Sequence, residues 1–200
     1  LLLGNMQTNG YVVSDENHHC LIIDPGANGK KVVHYLTENE LVPEAVLLTH
    51  GHFDHIGAVD YLYEHYHCPI YLHQDDLEML DNPQLNLSVY ENPFTVKAPV
   101  QSSHEEMKFG DFDVQWLHLP GHCPGSSMIY LKDENIIFSG DVLFKGSIGR
   151  FDFPNSSKYE TIESINKIKE YDFDAVIYPG HGPNSTLSEE RLNNPYLKKS

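Results

Sequence analysis

Cysteine is scarce in this 200-residue chain, and the three present, Cys20, Cys68 and Cys123, form no Cys-x-x-Cys pair. An odd, dispersed set argues against a disulfide framework and points to a reducing compartment, the cytoplasm. Long apolar runs are also lacking: none approaches the roughly 18 residues a membrane span needs, so no membrane association is expected. The opening Leu1-Leu2-Leu3-Gly4 has no initiator Met and no basic stretch before it, and it is too short for a secretion signal. Positive charge is thin, with 13 Lys and Arg against 29 Asp and Glu and a net charge of −16. Such a surface repels a phosphate backbone, so nucleic acid is not expected as a partner. No repeat, low-complexity tract or Gly/Ser linker interrupts the sequence, so residues 1–200 read as one domain that needs no staple. No Gly-x-Ser-x-Gly occurs, and Gly125-Ser126-Ser127 is an ordinary turn, so nothing suggests a serine nucleophile.

Histidine is what the chain has in excess, at 13 of 200 residues, and several lie in clusters. Around them, strands and helices alternate. Tyr11 to Val13 and Cys20 to Ile23 read as strands joined by the polar turn Asp15-Glu16-Asn17. Lys30 to Leu41 has helical spacing, with Val33, Leu36 and Leu41 apolar. Ala45 to Leu48 is a short apolar strand, Ala58 to Tyr66 a helix and Pro69 to Leu72 a buried strand. Residues 81–104 have weak periodicity and read as a long loop covering a site. Phe112 to Leu119, Ser127 to Leu131 and Asn135 to Ser139 follow as strands. Ser157 to Tyr171 is a helix with Ile162, Ile165 and Ile168 inward, Ala175 to Tyr178 a last strand, and Leu187 to Leu192 a terminal helix. The mixture implies helices packed outside stacked sheets.

Four times a short apolar strand runs into a ligand-type residue: Leu48 to His50, Leu119 to His122, Phe138 to Asp141 and Tyr178 to His181. Strand ends share one edge of a sheet, so these loops can converge there. The core signal is Thr49-His50-Gly51-His52-Phe53-Asp54-His55, with three imidazoles and a carboxylate within six residues. Neutral imidazole and carboxylate are ligands for zinc and similar divalent ions. On a turn leaving a strand, residues 50 and 52 can point one way and 54 and 55 another, so one loop can feed two neighbouring cations. His122, Asp141 and His181 each read singly as turn or cap residues. Their combination with the His-rich run gives the metal reading its weight.

These motifs resemble those of the metallo-β-lactamase superfamily. Its order is an Asp after the opening strands, Thr-His-x-His-x-Asp-His, a Gly-His, a Gly-Asp and a Gly-His. Asp24 and residues 49–55, 121–122, 140–141 and 180–181 match in order. Residues 140–150, 179–183 and 191–197 are similar to the small single-domain bacterial glyoxalase II-like hydrolases, and the likeness spans about residues 5–197. The resemblance implies an α/β fold, an αββα sandwich of two stacked mixed β-sheets flanked by helices, with the site at one edge. By motif position, His50, His52 and His122 would hold a first metal and Asp54, His55 and His181 a second, with Asp141 bridging. Asp54 and Asp141 would also act in catalysis. Asp24 would support the His loop or, equally, form the turn before Pro25-Gly26. Glyoxalase II places a basic residue after its Gly-Asp motif against the thiol carrier. Arg150 falls there, and Lys145 is grouped with it as substrate-binding; an ion pair with Asp152 is the other reading of Arg150. Cys123 departs from the pattern, which usually has Thr after the third-motif His. No separate C-terminal glutathione-binding domain is expected, since the sequence stops at Ser200.

The implied activity is metal-dependent hydrolysis of S-(2-hydroxyacyl) thiols such as S-lactoylglutathione, with a small-molecule thioester as the partner. Two divalent cations would supply it, zinc first, with iron or manganese also accepted by the ligand set. Such ions lower the pKa of water towards about 7, which provides a nucleophile at neutral pH. Two rivals stand beside it. One is an iron-dependent persulfide dioxygenase, with a similar Gly149-Arg150-Phe151-Asp152 stretch. The other is a non-catalytic metal-binding module.

Overall fold

A computed structural model describes residues 1–198 of the chain. The elements in chain order begin with a small hairpin, β1 (Leu2–Leu3) and β2 (Thr8–Asn9), then β3 (Tyr11–Ser14), β4 (His19–Ile23), helix α1 (Gly29–Glu38) and β5 (Val42–Leu47). Two helices, α2 (Phe53–Ile56) and α3 (Val59–Tyr66), lead to β6 (Ile70–Leu72), a turn of 3-10 helix at Gln74–Asp76, and α4 (Leu77–Leu80). Strands β7 (Val100–Ser102), β8 (Glu106–Phe109), β9 (Phe112–His118), β10 (Ser127–Leu131) and β11 (Ile136–Gly140) follow. A hairpin β12 (Leu143–Phe144) and β13 (Ser147–Ile148) precedes α5 (Lys158–Glu170), β14 (Val176–Pro179), β15 (Ser185–Thr186) and α6 (Leu187–Asn193).

Two sheets result. The first runs β3-β4-β5-β6-β7, parallel from β4 onward. The second runs β15-β14-β11-β10-β9-β8, antiparallel except where β11 and β14 lie parallel. Three apolar layers hold them. Leu21, Ile23, Ala45 and Leu47 of the first sheet meet Val114, Trp116, Ile129 and Phe138 of the second. The other face of the first sheet packs on α1 and α3 through Ile22, Val46, Leu36 and Leu62. That of the second packs on α5 and α6 through Met128, Ile137, Ile168 and Leu187. Helix, sheet, sheet and helix are therefore stacked, the expected αββα sandwich.

Local chemistry explains most boundaries. Ser157 and Thr186 cap α5 and α6, accepting from the amides of Glu160 and Glu189 three residues on. Helix α1 stops at Glu38 rather than reaching Leu41. Glu40 turns left-handed at φ 54°, and the amides of Glu40 and Leu41 return to the carbonyls of Thr37 and Leu36, a Schellman closure that ends the helix. The stretch 81–104 is not wholly loop. It contains a 3-10 turn at Ser88–Tyr90 and edge strand β7, whose Val-Gln-Ser carries little apolar signal. Strand β8 was also not expected. Strand β14 is followed by the short β15 and is not the last. Ile165 and Ile168 face inward, but Ile162 is half exposed and lines a groove beside Ile148 and Phe151.

Candidate metal centre

The C-terminal ends of β9, β11 and β14 lie on one edge of the second sheet, because β9 and β11 both run antiparallel to β10 and β14 runs parallel to β11. These ends carry His122, Asp141 and His181. From the first sheet, β5 is buried throughout Ala45 to Leu48 and delivers Thr49 and His50 to the same place. His52 then starts the single-turn helix α2, which holds Asp54 and His55. Close approach is built in: a Cβ on Gly180 would collide with Asp141 Oδ1 and His55 Cε1.

Two adjoining donor sets form. His50, His52, His122 and Cys123 offer ligand atoms within 4.8 Å of one another, as do Asp54, His55 and His181. Asp141 sits between them, grouped with His50 and His55 and lying 3.6 Å from His122 Nε2 and 3.7 Å from His181 Nε2. All seven side chains expected at the site therefore come together, with His50 touching both groups.

Three of the five rings are held from behind. His55 Nδ1 lies 3.0 Å from Asp24 Oδ2. Thr49 Oγ1 donates to the same oxygen at 2.6 Å and lies 3.1 Å from His50 Nδ1. His122 Nδ1 lies 2.8 Å from the Arg150 carbonyl. These partners turn the Nε2 atoms of His50, His55 and His122 towards the gap between the rings. Asp24 thus does both things considered for it: its backbone is left-handed at φ 46° and its carboxylate braces the His loop. His50 Nε2 is buried without a hydrogen-bond partner, and His55 Nε2 and Asp141 Oδ1, also buried, face each other at 3.4 Å without a well-formed bond. Orphaned acceptors cost about 1–3 kcal/mol each, and a cation between them removes that cost. The residues fit a pair of metal ions.

The electrostatics differ between the two sides. Burial, then the neighbouring imidazoles, hold His50 far below the ordinary histidine range. The same causes bring His52 down to about 3, and burial lowers His122. On the other side burial is overcome. Asp54, Asp141 and Asp24 carry His55 well above its ordinary value, and a hydrogen bond to Asp54 raises His181. Reciprocally, and against their own burial, Asp54 and Asp141 are held below the carboxylate range by His55. The first set presents neutral donors, whereas the second holds protons that a cation must displace.

Two contributors were not singled out from sequence. Asp76 is fully buried and accepts from Gly51 N at 3.0 Å and Gly125 N at 2.6 Å, tying the His50–His52 loop to the His122–Cys123 turn. Burial lifts its carboxyl to about 7. Thr8 donates to Asp54 Oδ2 at 2.9 Å, and His181 Nε2 lies 3.1 Å from the same oxygen. Neither Asp76 nor Thr8 stands in a motif, and both act across long sequence separations.

Comparison with known proteins agrees with this geometry. The metallo-beta-lactamase superfamily model matches residues 3–181. The chain belongs to that superfamily. Hydroxyacylglutathione hydrolase GloC of Haemophilus influenzae is 32% identical over 197 residues, covering 96% of this chain and 93% of GloC. A solved B3 metallo-beta-lactamase, BLEG-1, superposes with a TM-score of 0.93 at 38% identity, over 100% of this chain and 98% of BLEG-1. TTHA1623, solved in a di-iron-bound form, superposes at 0.88 with 37% identity, over 98% of each chain. As a member of the superfamily, the protein is a metal-dependent hydrolase.

Within the superfamily frame, the expected substrate-binding residues stand apart from the metal ligands. Arg150 pairs with Asp152 through two bonds of 2.9 Å, and its guanidinium lies 4.6 Å over the Phe153 ring, which packs edge-on to His52 and His122. Lys145 is paired with Glu189 at 3.1 Å. A cleft of about 320 Å³ opens beside Asp54, lined by Gly4, Met6, Phe53, Glu91 and Phe94 among others. Residues 91–94 belong to the stretch expected to cover a site. No helix among the described residues is long and apolar enough to cross a membrane.

Proposed function

We propose that this chain is a thioesterase of the glyoxalase II type, cleaving S-(2-hydroxyacyl) thiols such as S-lactoylglutathione to a hydroxy acid and a free thiol. The observation that carries the metal half of the reading is the buried cluster of ligand atoms on His50, His55 and Asp141 at the junction of the two donor sets, with His50 Nε2 lacking any partner. The likeness to GloC supports the thioester half. His50, His52 and His122 would hold one cation, Asp54, His55 and His181 the other, and Asp141 would bridge them. Zinc is the first choice of metal, with iron and manganese compatible with the same donors. When bound, such a pair activates water and polarises the acyl carbonyl.

The chain's own groups do the rest. Asp54 is held ionised with Thr8 Oγ1 and His181 Nε2 on one oxygen. It is placed to accept a proton from an attacking water and to orient it. A thiolate leaves readily, so no dedicated acid is required. The acyl-thiol would lie in the cleft beside Asp54, and Lys145 and Arg150, which do not line that cleft, would meet the carrier beyond it. Free, buried Cys20, Cys68 and Cys123 fit a reducing, cytoplasmic setting.

A thiol-release assay with S-lactoyl esters of several carriers tests the reading. Metal-dependent release that chelation abolishes is expected. Metal-loaded protein that frees no thiol from any of them would sink it. The likeness to BLEG-1 favours β-lactam hydrolysis as a second reading. Faster turnover of a cephalosporin than of every thioester would establish it. Oxygen uptake with a persulfide by a one-iron protein would favour the dioxygenase instead.

A further inference from the structure

We propose that a cavity beside the C-terminal end of β9 is a binding site for a small neutral molecule with a planar ring and a carbonyl group. The cavity measures about 320 Å³ and is lined by His73, Ser103, Trp116, His118 and Tyr171 among others, with exposed Glu105 at its edge. It shares no residue with the two donor sets of the metal centre. Strands β5, β6 and β7 run parallel, so His73 after β6 and Ser103 after β7 stand on the same sheet edge as His50, one and two strands along.

Two orphaned polar groups mark the cavity. Trp116 Nε1 and Ser103 Oγ are both buried without a hydrogen-bond partner among the described residues, and the two residues are only 3% and 8% exposed. A buried indole N–H ordinarily finds an acceptor, and leaving it or a hydroxyl unpaired costs about 1–3 kcal/mol. The body of Trp116 packs in the apolar layer between the sheets, and its N–H is what the fold leaves unused. An indole N–H only donates, whereas a hydroxyl donates or accepts. A ligand carbonyl supplies the acceptor that both lack.

The walls are aromatic. His73 and His118 stack with centroids 3.8 Å apart and planes 13° from parallel, and Trp116 and Tyr171 complete a lining on which a planar ring packs. The same stacking rules out a shared cation at His73, Asp75 and His118, whose ligand atoms lie within reach of one another. Imidazole lone pairs lie in the ring plane, so parallel rings aim them side by side, and His118 Nε2 already lies 2.8 Å from the Pro124 carbonyl. Charge decides against an anion. Asp75 Oδ2 is 3.6 Å from His73 Nδ1, Glu105 stands at the edge, and no Lys or Arg lines the cavity. Burial, then the neighbouring His118, hold His73 below the ordinary histidine range, so that ring adds no cation at neutral pH.

Trp116 is the chain's single tryptophan, so the full chain has one indole N–H resonance, and it reports on this cavity. Titration of the full chain with benzamide, followed by heteronuclear NMR, should move that resonance in a saturable way. Ser103→Ala, lacking the hydroxyl, should weaken the apparent affinity about 5–10-fold. Benzoate, the anionic analogue, should bind more weakly than benzamide. An indole resonance unmoved by millimolar benzamide, or moved identically in Ser103→Ala, overturns the proposal and leaves water as the occupant. Benzoate binding as tightly as benzamide overturns it too, because the site would then not select a neutral ligand. Should Ser103→Ala misfold, nuclear Overhauser contacts in wild type decide: contacts from the benzamide ring protons to the indole N–H support the site, and their absence refutes it.

Discussion

At Asp24 three donors meet one carboxylate: Thr49 N, Thr49 Oγ1 and His55 Nδ1. Asparagine keeps the shape but presents an N–H₂ where one of them needs an acceptor. Asp24→Asn should therefore weaken metal affinity about 10–100-fold, read by competition with a chelator. Unchanged affinity would mean that Asp24 only shapes the turn. Asp76 works differently, because it binds no ring and latches two backbone amides. Asp76→Ala should destabilise the metal-free protein by about 2–3 kcal/mol, from two lost bonds to a carboxylate, measured by denaturant unfolding. Its carboxyl sits near 7 in the fold against 3.8 in an unfolded chain, so the fold binds that proton more tightly. The stabilisation is complete below about 3.8 and is lost as pH rises through about 7. Wild type should lose stability relative to Asp76→Asn over that interval, and parallel pH profiles would contradict the shift.

The strand ends were legible because each joins an apolar run to a polar residue, as at Val46-Leu47-Leu48 before Thr49-His50. Strand β8 alternates Met107 and Phe109 with Glu106 and Lys108, a signal that was present and short. Strand β7 had almost none: it is a three-residue edge strand stabilised by pairing with β6, which no local pattern records. In α5, the spacing put Ile162, Ile165 and Ile168 on one side, but only the last two join the buried apolar layer and Ile162 is half exposed. Ile168→Ala should cost about 3 kcal/mol, and Ile162→Ala less than about 0.5 kcal/mol. Thermal unfolding of the two variants separates them, and similar losses would place Ile162 in the core.

Across the whole molecule, the two sheets present ligands along one common edge. The contiguous run from His50 to His55 could be read without a structure, since four of its six residues are metal-ligand types by chemistry alone. His122, Asp141 and His181 gained meaning only as a set. Asp76 could not be read, because a lone Asp after His73-Gln74-Asp75 looks like any turn former, and its partners Gly51 and Gly125 lie 25 and 49 residues away. The same holds for Thr8 and Asp54, 46 residues apart. The most direct test of the central claim is metal stoichiometry by elemental analysis after zinc loading and dialysis. The account predicts two ions per chain in wild type, with one lost in His122→Ala and one lost in His181→Ala. Wild type retaining less than one ion, or both variants retaining the full complement, would contradict it.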